Sequence, residues 1–368
     1  MRGHSSRQIP MFYMINVEAE LPKQHPLRAI KHRADAILRA MSQEFAEAYS
    51  QMGRPGIAPE RLLKALLLQA LYSIRSEILL MQAIQFNLLY RWFVDLSDRP
   101  VWTPEVFSMN RERFAQHDLV RKFFDRIVSE AVIEGYASPD HFTVDGTLIR
   151  SWASQKSLRP QEGTAPRKDD GDPGNPTVDY RGQKRSNATH ESATDPQARL
   201  MRKGLGKEAH LCHSGHVLME NRNGLCMGVL VDQADGHAER RCAMALIRHL
   251  RRRHRLQVKT LGADKGFDDG AFLVELERLH IRAHVPVRQI GTQARVPARQ
   301  RAQRRMQTRG YQISQRIRKR VEEIFGWFKT VGGLARTRFV GRWKILQEML
   351  VTGAAYNLLR LARLEAVR

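Results

Sequence analysis

The chain is poor in cysteine, in acidic residues and in long apolar runs, and each shortage excludes something. Its three cysteines, Cys212, Cys226 and Cys242, are odd in number and unpatterned. That argues against a disulfide framework and suits a reducing cytoplasm. The longest apolar stretches, 62–74 and 78–89, are bounded or broken by Arg75, Glu77 and Asn87. Neither approaches the roughly 20 residues that cross a bilayer. The N-terminal segment has no continuous apolar core followed by a cleavage site, so no signal peptide is expected. Acidic residues are the third shortage: 38 Asp and Glu face 61 Lys and Arg, a net charge of +23 over 368 residues. A field of that sign favours a polyanion, and counterion release makes nucleic acid the leading partner. The basic residues fall in several separated clusters rather than beside one amphipathic anchor, which disfavours a membrane surface.

What is present reads as two regions. A hydrophobic fraction of 42% is ordinary for a globular protein and argues against global disorder. The first third is helical in pattern. Residues 26–41 carry Leu27, Ile30, Ala34, Ile37, Leu38 and Met41 on one helical stripe. Turn-forming residues follow at 51–59, then helices are expected at 60–72, 76–95 with Ser76 as N-cap, 105–116 and 119–135. Residues 1–136 are therefore expected to form an all-helical N-terminal domain; the turn at Gly56–Pro59 followed by two helices fits a DNA-binding helix-turn-helix, and the apolar content of 62–96 fits a dimerisation module equally. From 137 to 368 the pattern becomes mixed. Strands are expected at 141–150, 209–221, 225–232, 258–263 and 281–287, with Asn221-Arg-Asn-Gly224 as a hairpin turn. Helices are expected at 238–253, 269–279, 313–329 and 344–364. Residues 154–205 are dense in Pro, Gly, Asp, Arg, Ser and Thr and read as a poorly ordered insertion. The order of elements predicts an α/β domain with a mixed sheet flanked by helices, antiparallel first and parallel later.

Three carboxylates stand out. Asp145 lies inside the apolar strand Thr143-Val-Asp-Gly-Thr147, where a buried acid is costly unless paired or bound to a cation; an outward-facing strand residue is the other reading. Asp264 ends a strand, the edge at which open α/β sheets bind ligands. Its neighbours Asp268 and Asp269 read as caps of the next helix. Glu322 shares a helical face with Arg318, Phe325 and Lys329, whereas Glu323 is turned away and pairs naturally with Lys319. An Arg318–Glu322 pair one turn apart is also compatible with a simple surface salt bridge. Converging carboxylates can hold two divalent cations, which activate an attacking oxygen and stabilise a leaving one at phosphorus.

These residues resemble those of bacterial insertion-sequence transposases. The family signature Tyr-x2-Arg-x3-Glu-x6-Lys is matched by Arg318, Glu322 and Lys329, with Gln315 in place of the tyrosine. The segments 143–147 and 262–267 are similar to the family's first and second aspartate regions. Segments 185–196 and 323–333 are similar to those of the insertion-sequence-five branch. The resemblance implies a ribonuclease H-like DDE catalytic domain in a bacterial, cytoplasmic, nucleoid-associated protein. It implies cleavage and strand transfer at terminal inverted repeats, with double-stranded DNA of the element ends and the target as partner. It also implies a homodimer or higher oligomer on DNA. Asp145, Asp264 and Glu322 would carry two Mg2+ ions, for which Mn2+ can substitute, and Arg318 and Lys329 would contact DNA near the scissile phosphate.

The basic residues extend that expectation. Between Arg288 and Arg320 there are 11 Arg or Lys and no acid, a candidate DNA-backbone channel including Arg304, Arg305, Arg316, Lys319 and Arg320. The cluster 248–255 is a second basic patch at a helix end, partly explained by the helix dipole. Trp327 and Phe328 read as core rather than as a base-stacking pair. His210, Cys212, His213 and His216 lack the spacing of common zinc modules. A non-catalytic DNA-binding protein derived from a transposase, and a ribonuclease H-like nuclease acting on RNA–DNA hybrids, are the alternative functions.

Overall fold

The computed structural model describes residues 16–50, 52, 56–96, 100–161, 178–180, 182–204, 207–288 and 296–367. The N-terminal segment read for a signal peptide, parts of the 51–59 turn, the 162–177 part of the expected insertion, and Arg295 lie outside the described residues.

The helical region runs α1 (Val17–Glu20), α2 (Pro26–Ala40), α3 (Ser42–Ala48), α4 (Pro59–Leu71), α5 (Glu77–Phe86), α6 (Leu88–Phe93), α7 (Pro104–Gln116) and α8 (Leu119–Ile133). Proline opens α2, α4 and α7, where its missing N–H costs nothing. Ser76 caps α5 by accepting from Leu79 N at 3.1 Å, as its position predicts. The 76–95 segment, expected as one helix, is two. Asn87 leaves the helical conformation and its side chain accepts from Leu89 N (2.9 Å) and Tyr90 N (3.3 Å), starting α6 afresh. Helix α4 is buried almost all round; even Lys64 is 1% exposed, held by Asp35 at 2.7 Å and by Asp95.

The second region opens with β1 (Phe142–Arg150), followed by the short strands β2 (Leu158–Pro160), β3 (Val178–Tyr180), β4 (Gln183–Arg185), β5 (His190–Ser192) and β6 (Arg199–Met201). Then come β7 (His210–Glu220), β8 (Leu225–Gln233), α9 (Ala238–His254), β9 (Thr260–Gly262), α10 (Gly270–Arg278) and β10 (Arg282–His284). Helices α11 (Pro297–Arg305), α12 (Arg309–Arg318), α13 (Val321–Thr330) and α14 (Arg342–Glu365) complete the chain. The main sheet is ordered β10-β9-β1-β7, and β6 and β8 both pair with the far edge of β7. Strands β1, β7 and β8 are antiparallel neighbours, and β9 and β10 run parallel to β1. This is the mixed sheet flanked by helices of a ribonuclease H-like domain. Helix α14 packs on β8 and also on α2, α4 and α8, so one hydrophobic core runs from Leu27 through the sheet to Leu361.

Two expectations are corrected. Residues 154–205 are not simply loop: among the described residues, β2 pairs with β5, β3 with β4, and β6 joins the main sheet. The order comes from a small buried apolar cluster of Ala153, Leu158, Ala198, Leu200, Ala209 and Leu211, too sparse in sequence to show as a periodicity, and from polar contacts. Asp195, fully buried, accepts from Ser151 Oγ and lies 2.8 Å from His213 Nε2, while Asn187 bonds both backbone groups of Leu200. The helix expected at 313–329 is broken. Around Lys319 and Arg320 the backbone makes i→i+3 bonds, and Arg320 Nη1 donates to Asn221 O at 3.0 Å, so α12 and α13 are separate helices.

Candidate active site

The strand register explains how the first two acids meet. Phe142 pairs with Leu261 and Thr143 with Gly262 in parallel, so two residues further on Asp145 draws level with Asp264. Asp264 lies just beyond β9, where its Oδ1 accepts from Gly266 N at 2.8 Å and starts a short 3-10 turn. Glu322 is in the exposed first turn of α13, which packs against β1. Glu323 instead borders a hollow with Ile313, Arg316, Ile317, Lys319 and Arg320.

Electrostatics tie these groups together. Asp145 is half-buried, and its pKa is pushed up to about 6, first by burial and then by the negative charges of Asp264 and Glu322. The Gly146 N–H, 2.8 Å from Asp145 Oδ1, and the Arg318 guanidinium, 3.5 Å from Oδ2, pull the other way. The three sequence-singled acids therefore lie in one electrostatic neighbourhood, with Arg318 beside them. Arg318 Nε is buried with no hydrogen-bond partner among the described residues. Lys329, half-buried, has its pKa lowered by burial and by Lys203.

A fourth carboxylate was not singled out in the sequence. Glu239, in the first turn of α9, has its pKa raised to about 7 by burial and by the charges of Asp264 and Asp145. Two glycines make room for it. A Cβ on Gly146 would fall 3.3 Å from Glu239 Oε1, and one on Gly266 would fall 3.0 Å from Glu239 Oε2 and 3.1 Å from Asp264 Oδ1. His216, opposite Gly146 on β7, is fully buried with both ring nitrogens unpartnered among the described residues, and its pKa is lowered to about 4 by burial. An acid in the first turn of a helix is ordinary by itself, which hides Glu239 from sequence reading. The signal is topological: α9 follows β8 and packs on β1, which turns its first turn toward Asp145.

Crowded, partly buried oxygens with too little positive charge beside them suit a hard divalent cation. Because the folded-state pKa values of Asp145 and Glu239 are raised, their contribution to metal-free stability is full below pH about 4. It is lost as pH rises through about 6 to 7. A cation that binds the ionised acids should therefore raise the melting temperature more at pH 8 than at pH 5, and its binding near pH 6.5 should release protons. A metal-induced shift independent of pH would contradict this reading.

The remaining expected residues divide sharply. Arg304, Arg316 and Lys319 are exposed, and so is Arg320 despite its bond to Asn221. Other members of the basic stretch are engaged by acids. Arg299 makes a two-pronged pair with Asp268 (2.8 and 2.9 Å), while Arg301 and Arg305 pair with Glu277. The 288–320 stretch is thus part structure and part free positive surface. Asp268 also turns out to hold Arg299 rather than cap α10; Asp269 provides that cap, accepting from Phe272 N at 2.9 Å. Gln315 Nε2 donates to His284 O (2.7 Å) and Ala263 O (3.4 Å), fastening α12 to the strand ends beside Asp264. Phe328 is buried and Trp327 packs edge-on against Tyr356, so both belong to the core.

A ribonuclease H-like sheet with acids on β1, just beyond β9 and on a C-terminal helix defines a class of metal-dependent phosphodiester-cutting enzymes. Within that class the family is shown by two matches: a transposase domain model covers residues 15–113, and a transposase DDE domain model covers residues 177–358. The chain belongs to the insertion-sequence DDE transposases, enzymes that cleave DNA with divalent metal. Asp264 and Glu322 lie within the matched DDE segment and Asp145 precedes it. No curated protein and no solved structure matches the chain. No helix is long and apolar enough to cross a membrane among the described residues.

Proposed function

We propose that this transposase cuts and joins DNA at the terminal inverted repeats of its own insertion sequence, as a member of the insertion-sequence-five-like branch. Asp145, Asp264 and Glu322 are assigned as the catalytic carboxylates. The observation that supports this most directly is the parallel β1–β9 register, which brings Asp145 level with Asp264, with Arg318 3.5 Å from Asp145 Oδ2. The three acids would hold two Mg2+ ions, replaceable by Mn2+, which when bound supply charge neutralisation and activation of the attacking oxygen. Glu239 faces the same space and is assigned as a fourth carboxylate of the site. Arg318 sits where it can steady Asp145 and meet a phosphate oxygen, and Lys329 lies one helix length further on.

The exposed Arg304, Arg316, Lys319 and Arg320, with Arg305 behind them, would follow the DNA backbone. Residues 1–136 are assigned to DNA-end binding or dimerisation and 137–368 to catalysis, in a homodimer or higher oligomer on DNA, associated with the bacterial nucleoid.

The test is cleavage by the full chain of duplexes carrying the element's ends, with Mg2+, beside unrelated duplex and RNA–DNA hybrid. Nicking at the element ends is expected. Binding without divalent-dependent nicking would overturn the proposal in favour of a non-catalytic DNA-binding protein, and preference for the hybrid would favour another nuclease. In the same assay Glu239→Gln should lower the rate by about 10- to 100-fold, the range seen when a group supporting a metal site is removed.

A further inference from the structure

Far from the carboxylates, three side chains converge between α8 and α9. Asp125 on α8 meets His249 and His254 from the last turns of α9, with one ligand-capable atom from each lying within 4.8 Å of the others. Asp125 Oδ1 is 3.1 Å from His249 Nε2 and 3.7 Å from His254 Nε2. The His254 side chain is fully buried, and among the described residues its Nε2, 3.7 Å from this oxygen, has no hydrogen-bond partner. Its other nitrogen, Nδ1, is already held by Ser129 Oγ at 2.9 Å. A buried imidazole nitrogen left without a partner costs free energy unless something occupies the space in front of it.

We propose that Asp125, His249 and His254 form a zinc site that clamps the helical region to the catalytic region. Zinc held by nitrogen and oxygen at roughly 2.0–2.1 Å places its tetrahedral ligands about 3.3 Å apart. The two separations, 3.1 and 3.7 Å, straddle that value. Two imidazoles and one carboxylate suit zinc and disfavour magnesium, which prefers oxygen alone. Ser129 fixes which His254 nitrogen faces inward, the arrangement that orients metal-bound histidines elsewhere in proteins. His249 keeps 31% of its side chain exposed, which leaves an entry path and room for water as fourth ligand. The carbonyl end of α9 adds partial negative charge to the site. Arg253, 4.0 Å from the second oxygen of Asp125, works against the cation, so the binding is of moderate strength.

The test uses the full chain stripped with a chelator, in an Asp145→Asn/Asp264→Asn background so that the catalytic acids do not compete. Zn2+ titrated by calorimetry should bind at about one equivalent per chain and raise the melting temperature, whereas Mg2+ should do neither. Co2+ should give the strong visible bands of tetrahedral coordination. His249→Asn, a partly exposed position whose replacement spares the core, should abolish the Co2+ bands, and Ser129→Ala should weaken Zn2+ binding by about tenfold. Absence of Zn2+ binding in the stripped protein, or unchanged bands and stabilisation in His249→Asn, would overturn the proposal. Cleavage of element ends by the protein with intact acids is a separate readout, so failure here leaves the assignment of the active site standing.

Discussion

Replacing Asp145, Asp264 or Glu322 by its amide is expected to lower end cleavage by roughly 10^3-fold or more, a loss of about 4 kcal/mol in transition-state stabilisation. The amides keep the shape of the acids. Asn at 264 still offers an oxygen to Gly266 N, and Glu322 is exposed, so neither change should disturb packing. Asp145→Asn goes further: it removes a charge that the metal-free fold holds against burial and two neighbouring acids. Its metal-free melting temperature at pH 8 should therefore equal or exceed that of the unaltered protein, while divalent cation should stabilise it less. A double variant should be little worse than either single one, because groups that hold shared ions act as a unit. Undiminished cleavage by any of the three single variants would remove that residue from the site. Activity lost together with stability would show that the side chain serves the fold instead.

The sequence made some of this legible and hid the rest for identifiable reasons. Alternating and continuous apolar patterns located β1, β7, β8, α9 and α14 to within a few residues, because each buries a face that periodicity records. The position of Asp264 just beyond β9 was readable, and a strand end is a general place for a site. Asp145 was ambiguous, since a strand residue can face either way and only the pairing with β9 decides which groups it meets. Glu239 was invisible for the complementary reason: its local setting is ordinary, and its meaning lies in the crossing of α9 over β1. The break between α12 and α13 was not legible because Arg318, Glu322, Phe325 and Lys329 are spaced as on one continuous helix, and the turn at 319–320 shows only in the backbone i→i+3 bonds and the tertiary bond of Arg320 to Asn221. Likewise, a count of basic residues could not separate Arg299, which is held by Asp268, from Arg304, which is exposed.

Asn357→Leu should lower the stability of the whole chain by about 2–4 kcal/mol, since it would strand two buried backbone groups. Asn357, 1% exposed on α14, accepts from Cys226 N at 2.9 Å and donates to Cys226 O at 2.7 Å. It serves β8 where its register with β7 shifts between Leu218 and Met219 and regular ladder pairing is interrupted. Leucine has similar volume but can satisfy neither group. On either side of it, Tyr356 donates to Gly224 O at 3.1 Å and Arg360 to Asn223 O at 2.6 Å, so α14 grips the β7–β8 turn and the start of β8. The same helix packs on α2, α4 and α8, and Arg33 of α2 pairs with Glu365 near its end. Loosening the hairpin should thus be felt in the N-terminal helices. The denaturation midpoint should fall with little change in slope, and hydrogen exchange should show α2 and α4 losing protection together with β8. If α2 and α4 kept their full protection while β8 opened, the two regions would be separately stable and α14 would not couple them. If they open together, the N-terminal helices, assigned to DNA-end binding or dimerisation, and the sheet that carries the acids form one cooperative unit.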